Sequence, residues 1–298
     1  MTNGLLSLSG ISKTSTESLF SLARSLKNKP GRPDFLGQTA ALLFFEASTR
    51  TRLSFESACY RAGLGPLVFQ GGAGTSMEKG ETPEDTFANV AAMGPSVMIV
   101  RGGDELALDT FARDFKIPVI NAGWGKRGHP TQALLDLFTI GERRPLEGLK
   151  VVFLGDLKHS RVAGSHLELW PKFGGEVRFC GPASMLPDSG VARFANVNEA
   201  LEWADVVIAL RYQNERHGSG ASDSKILAEI RRDFALTKEH LARIPESTLI
   251  LHPGPVNHGV ELDTEVYRDH RSLILDQVAH GVWLREALLR AVLKGDLQ

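Results

Sequence analysis

Short apolar runs punctuate this 298-residue chain at residues 40–45, 97–100, 117–120, 150–154, 176–180, 205–210 and 248–251. Stretches with helical spacing fall between them, as at 53–62, 82–93, 131–141, 162–173 and 225–233. Strands that alternate with helices cannot pair as tight hairpins, so the pattern predicts βαβ units and parallel sheets flanked by helices. A chain of this length suits two such domains better than one. The segment GERRPLEGLK, residues 141–150, breaks the pattern with charge, proline and glycine where a fresh strand, KVVFLGD, begins. The reading is therefore α/β, with one domain over 1–141, a second over 142–284 and a site in the cleft between them. The closing stretch DQVAHGVWLREALLRAVL carries Val278, Val282, Ala287, Leu288 and Leu289 with charges between them. That spacing predicts a helix, whose end at 285–298 is expected to pack back on the first domain.

Composition narrows the possible partners. A formal net charge of -1, without basic runs, gives no reason to expect nucleic acid or an anionic membrane surface. No apolar stretch reaches the roughly 18 residues of a membrane span, and MTNGLLSLSG lacks the pattern of a signal peptide. A cytoplasmic protein is expected. The two cysteines, Cys59 and Cys180, lie far apart and without metal-ligand spacing, so they read as buried free thiols, and no metal site is expected.

In open α/β sheets ligands gather beyond the carboxyl ends of strands. The polar clusters of this sequence fall there: Arg101 after VMIV, NAGWGKRGHPTQ after PVI, GDLKHSR after KVVFL, Arg211 after VVIAL and HPGP after TLIL. The densest is FFEASTRTRLSFE, residues 44–56, which sets Ser48, Thr49, Arg50, Thr51 and Arg52 at a strand-to-helix turn. Unpaired N–H groups at a helix start favour anions, and hydroxyl donors and a guanidinium fork add to that preference. A phosphate monoester fits such a site. An ordinary Ser48 cap beside two solvated arginines is the competing reading. The Walker spacing is absent, and GDLKHSR lacks the glycines of a dinucleotide turn, so nicotinamide chemistry has little support.

FFEASTRTRLSFE resembles the carbamoyl phosphate signature of the aspartate/ornithine carbamoyltransferase family. The likeness continues, in that family's order, through SMEKGET, HPTQALLDL, GDLKHSRVAGS, RYQNER and HPGPVN. The resemblance implies transfer of a carbamoyl group from carbamoyl phosphate to an amino-acid amine, with no cofactor because the phosphate already activates the carbon. Glu46, Thr131 and HPGP stand where ornithine enzymes usually carry Lys, Cys and His-Cys-Leu-Pro. All three side with the aspartate branch, whose product is N-carbamoyl-L-aspartate for pyrimidine synthesis. The two carboxylates of aspartate also suit the guanidiniums of RYQNER and HSR.

Carried onto matching positions, the resemblance implies that Ser48, Thr49, Arg50 and Thr51 hold the phosphate, with Arg101 bridging phosphate and carbamoyl oxygen. His129 donates to that oxygen, supported by Thr51. Gln132 takes the carbamoyl NH2 with the backbone carbonyls of Gly254 and Pro255. Arg161 binds the α-carboxylate of aspartate, and Arg211 with Gln213 binds the β-carboxylate. Glu46 and Arg216 support domain closure. Ser76 and Lys79, in the glycine-rich loop GGAGTSMEKGET, match residues that reach a neighbouring subunit's site, which implies a homotrimer with shared sites. Regulatory chains or a dihydroorotase are the further partners the resemblance allows.

Departures from the family text are Gly102-Gly103 after Arg101, His258 in place of an arginine, and Gly164 and His166 in place of Arg and Asn. His258 exchanges a permanent cation for a titrating one, so it is the departure that bears most on aspartate binding. Two alternatives stand beside the aspartate reading: carbamoylation of another amino acid, and an inactive homologue serving as a structural subunit. The latter would have lost substrate-facing residues, yet Arg50, Thr51, Arg101, His129, Gln132, Arg161 and Arg211 are all present.

Overall fold

The computed structural model describes residues 4–71, 75–212 and 221–297. The chain opens with α1 (Lys13–Asn28), β1 (Thr39–Phe44), α2 (Thr49–Ala62) and β2 (Gly65–Gln70). After a 3-10 turn at Ser76–Lys79 come α3 (Pro83–Ala92), β3 (Val97–Gly102), α4 (Leu108–Asp114), β4 (Val119–Trp124) and α5 (Pro130–Gly141). The second half continues with β5 (Lys150–Leu154), α6 (Arg161–Leu169), β6 (Glu176–Cys180), β7 (Arg193–Phe194), α7 (Val197–Trp203) and β8 (Val206–Ala209). It closes with α8 (Ala221–Glu229), α9 (Lys238–Leu241), β9 (Leu249–Leu251), α10 (Thr264–Arg268) and α11 (Ile274–Lys294). Among the described residues no helix is long and apolar enough to cross a membrane.

Two compact units make up the chain. The first comprises Met1–Phe138, Gly164–Glu168 and Val278–Gln298, and the second Thr139–Ala163 and Leu169–Gln277. Each holds one sheet with every pairing parallel, ordered β2-β1-β3-β4 in the first unit and β7-β6-β5-β8-β9 in the second. Central strands are covered on both faces: Ala41–Phe44, Val97–Val100, Val151–Phe153 and Val206–Ile208 are all almost fully buried. This is why they read as continuous apolar runs rather than as alternating ones.

Two strands lie outside the runs seen in the sequence, and both are edges. β2, GPLVFQ, begins with Gly-Pro and is largely exposed, so it carries no buried-strand signal. β7 is only two residues long. The helix expected at 53–62 starts earlier, at Thr49, so the hydroxyl and arginine cluster is the first turn of α2 rather than a loop before it. Local chemistry agrees with the helix starts elsewhere. Thr82 and Asp85 form a reciprocal capping box on α3, and Asn196 caps α7.

In the first unit α11 contributes Leu284, Ala287, Leu288 and Leu289 to the core, all fully buried. Its Arg290, 4 % exposed, donates to Glu286, to Asp34 at 2.7 Å and to the Arg32 carbonyl at 2.8 Å. Glu286 is itself buried and also accepts from Arg61 at 3.0 Å. Removing the cation leaves the buried Glu286 with Arg61 as a cationic partner but one oxygen short of a donor, so Arg290→Met is expected to destabilise the protein by about 1–3 kcal/mol. Urea denaturation of the variant against the parent checks this.

Candidate active site

The strand orders reverse once in each sheet. From β1 the chain adds β2 on one side and then returns to place β3 on the other. From β5 it adds β6 and β7 on one side and later β8 on the other. At such a reversal the connecting segments leave in opposite directions, and a crevice opens beyond the strands' carboxyl ends.

At the first reversal, Phe44 at the end of β1 stands in register with Arg101 on β3. Ser48 occupies the N-cap position of α2 in extended backbone, yet its side chain makes no capping bond. The first-turn N–H groups therefore keep their capacity for an external anion. Thr51 is buried, whereas Thr49 and Arg50 are exposed on the same turn. Arg52 is engaged by Glu56 at 3.2 Å and by Gln70, and Arg50 lies exposed on the same turn. Arg101 is half-buried, donates to the Ala122 carbonyl at 3.3 Å and lies 4.0 Å from Glu46.

His129 precedes α5 and is 4 % exposed. Its backbone N–H donates to Ser165 Oγ at 2.9 Å, and its Nδ1 lies 3.4 Å from Thr131 Oγ1. In the tautomer whose Nδ1 accepts from Thr131, the ring presents Nε2–H as its donor. Gln132, also buried, donates from Nε2 to Asp136 Oδ1 at 2.8 Å. The other oxygen of Asp136 meets His166 Nε2 at 3.0 Å. Arg285 of α11 is buried beside this cluster, its guanidinium 5.1 Å from the centre of the Phe55 ring. Burial pushes its pKa down to about 10, with Asp136 opposing the shift and Arg101 adding to it.

At the second reversal Leu154 of β5 stands opposite Ala209 of β8. Arg161, 9 % exposed, opens α6, and Arg211 follows β8, half-buried. Gly155 ends the first of these strands at φ 110°, and a Cβ there would meet the Leu210 carbonyl oxygen at 2.8 Å, so glycine is required for the close approach. Beyond β9, the Gly254–Pro255 bond is cis. The Gly254 N–H donates to His252 Nδ1 at 2.8 Å, which leaves Nε2–H for Glu261 at 3.2 Å. Glu261 also accepts from the Asn257 N–H at 2.7 Å, so a buried His–Glu pair fixes the loop that carries the Gly254 and Pro255 carbonyls.

Ser76 and Lys79 lie exposed on the 3-10 turn. His258 is exposed, packed edge-on against Tyr267. Gln213 and Arg216 lie outside the described residues. Sequence reading missed Asp136, Ser165, Glu261 and Arg285. Asp136 had a signal, because it lies four residues after Gln132 on a helix and so shares its face. Arg285 had one too, as one of the two arginines, with Arg290, in the apolar stretch DQVAHGVWLREALLRAVL that closes the chain.

An uncapped helix start with Arg50 and Arg101 at a sheet reversal should bind phosphate. At one hundred times its dissociation constant, inorganic phosphate should stabilise the protein by about 2.7 kcal/mol, read as a higher melting temperature. Arg50→Ala should lose most of that shift, whereas Arg52→Ala should keep it.

Residues 3–142 match the aspartate/ornithine carbamoyltransferase carbamoyl-P binding domain, and residues 147–292 match the Asp/Orn binding domain. The aspartate carbamoyltransferase catalytic subunit of Acetivibrio thermocellus is 45% identical over 275 residues, covering 91% of this chain and 87% of the relative. That of Heliobacterium modesticaldum is 41% identical over 301 residues, covering 98% and 96%. The crystal structure of aspartate transcarbamoylase from Trypanosoma cruzi with carbamoyl aspartate and phosphate is similar at a TM-score of 0.86 and 28% identity, over 96% of this chain and 94% of that one. Ornithine carbamoyltransferase from Thermus thermophilus also gives 0.86 and 28%, over 98% and 99%. With both halves matched in order and relatives above 40% identity across nearly its whole length, the chain belongs to the aspartate/ornithine carbamoyltransferase family.

Proposed function

We propose that the chain catalyses transfer of the carbamoyl group of carbamoyl phosphate to the α-amine of L-aspartate, giving N-carbamoyl-L-aspartate and phosphate, as the committed carbamoylation of pyrimidine synthesis. Backbone likeness does not choose the acceptor, since aspartate and ornithine enzymes resemble the chain equally well. The observation that carries the choice is the pair Arg161 and Arg211, two guanidiniums at one sheet reversal. A dicarboxylate is attracted by such a pair, and a cationic side chain is repelled. The relatives named as aspartate carbamoyltransferase catalytic subunits support the same acceptor.

The chemistry needs position and positive charge more than covalent participation. The two substrates bring roughly four negative charges together, and two unit charges about 4 Å apart repel by about 4 kcal/mol at an effective dielectric near 20. Arg50 and Arg101 offset this on the phosphate side, where Ser48, Thr49 and Thr51 add donors. Nε2–H of His129 meets the carbonyl oxygen as charge develops on it, with Thr51 and Arg101 on the same oxygen. Gln132 and the carbonyls of Gly254 and Pro255 accept from the carbamoyl NH2. Arg161 holds the α-carboxylate of aspartate, and Arg211 with Gln213 the β-carboxylate. The amine's proton leaves with the phosphate.

The working unit in this proposal is a homotrimer in which Ser76 and Lys79 serve a neighbouring copy. Their exposed turn supports that role, as do the exposed apolar side chains of Leu53 and Tyr60, seven residues apart on α2.

Phosphate release from carbamoyl phosphate should occur with L-aspartate and not with L-ornithine; release with ornithine alone would sink the assignment. His129→Ala should lower kcat by roughly a hundred to a thousandfold, the usual cost of one transition-state donor, and Arg50→Ala by more. Co-assembling inactive Lys79→Ala and His129→Ala chains should restore part of the activity, because some shared sites then contain neither substitution. No recovery in mixed trimers would refute the sharing.

A further inference from the structure

His166 is fully buried against Asp136, thirty residues earlier in sequence. Asp136 in turn accepts from Gln132 Nε2. An ionised carboxylate only accepts, so the side of the Gln132 amide that faces it has to be the NH2. Turning the amide over would set its oxygen against a carboxylate oxygen in a dry site. The oxygen of Gln132 is thereby committed to the opposite side. Neighbouring residues of α6 grip both ends of this turn, since Ser165 holds the His129 backbone while His166 holds Asp136.

We propose that Asp136, fixed by His166, is a positioning residue that holds the Gln132 amide with Oε1 toward the ligand, so that the site selects a carbamoyl NH2 over an apolar group of the same shape. This rests on the reading that Gln132 meets the carbamoyl group. Its logic extends to a substitution. In Asp136→Asn the His166 Nε2–H claims the asparagine oxygen, which turns the asparagine NH2 toward Gln132. Gln132 then turns its own oxygen inward and presents NH2 to NH2. In Asp136→Asn/His166→Gln, the new glutamine accepts from the asparagine NH2, and the asparagine oxygen returns to Gln132 Nε2.

The test compares KM for carbamoyl phosphate with the competitive inhibition constant of acetyl phosphate, which carries CH3 where the substrate carries NH2. Asp136→Asn should weaken carbamoyl phosphate about tenfold, the scale of one mismatched buried hydrogen bond, with acetyl phosphate within about twofold of the parent. The double variant should regain most of the preference, a rescue that a purely structural role does not produce. Loss of both ligands in equal measure, or no change in the ratio, overturns the proposal. Gln132→Met separates the two layers: if it keeps the preference, the reading of Gln132 itself fails; if it loses the preference while Asp136→Asn does not, only the positioning role fails. Should Asp136→Asn not fold, His166→Phe carries the same comparison, with an unchanged ratio overturning the proposal.

Discussion

Parallel strands cannot be joined by a tight turn. Every connection must cross over the sheet, and the side to which it crosses decides where the strand ends are left open. In this protein each sheet reverses that choice once, between β1 and β3 and again between β5 and β8. The four segments that follow those strands carry Ser48 to Thr51, the residues around Arg101, Arg161 and Arg211. The location of these polar clusters is thus a by-product of chain topology. What the sequence adds is polarity where the backbone has already made room.

Around the first reversal Thr49 and Arg50 are exposed, whereas His129 and Gln132 and the residues that orient them are buried. Thr131 sets the ring of His129, Ser165 holds its backbone, and Asp136 with His166 holds Gln132. The second unit repeats the arrangement with Glu261 holding His252, the first residue of HPGP, which in turn accepts from Gly254. Buried polar groups are costly unless fully engaged, and this cost is what makes such supports rigid. Arg285 shows the tension. Burial makes its charge less favourable, and Asp136 is the neighbour that favours it.

Much of the fold was legible because parallel strands buried on both faces are written as unbroken apolar runs, as in ALLF, VMIV and VVIA. β2 was not legible, because an exposed edge strand that begins with Gly-Pro looks like a loop. The order of the strands was not legible either, since pairing between runs far apart depends on tertiary packing. Hence the carboxyl ends could be named as the expected site while the reversals could not. The positions proposed to face substrate were readable from contiguous motifs such as STRT and HPTQ. Their supports were not, because Asp136 and His166, or His252 and Glu261, meet only after folding. His166 in particular registered as a departure from a pattern, and its contact with the carboxylate that holds Gln132 gives it a physical meaning.

Cys59 and Cys180 are buried in the two units, and burial pushes each thiol up to about 12, with Glu56 and Glu199 adding to the shift. Near neutral pH only about one in ten thousand or fewer of such groups is a thiolate, the form that reacts. The native chain is therefore silent toward alkylating reagents while folded. A single cysteine introduced at an exposed position such as Ser76 would be the reactive thiol on that background. The loop that the proposed trimer shares between copies can thus carry a fluorescent or spin label without removing either native cysteine.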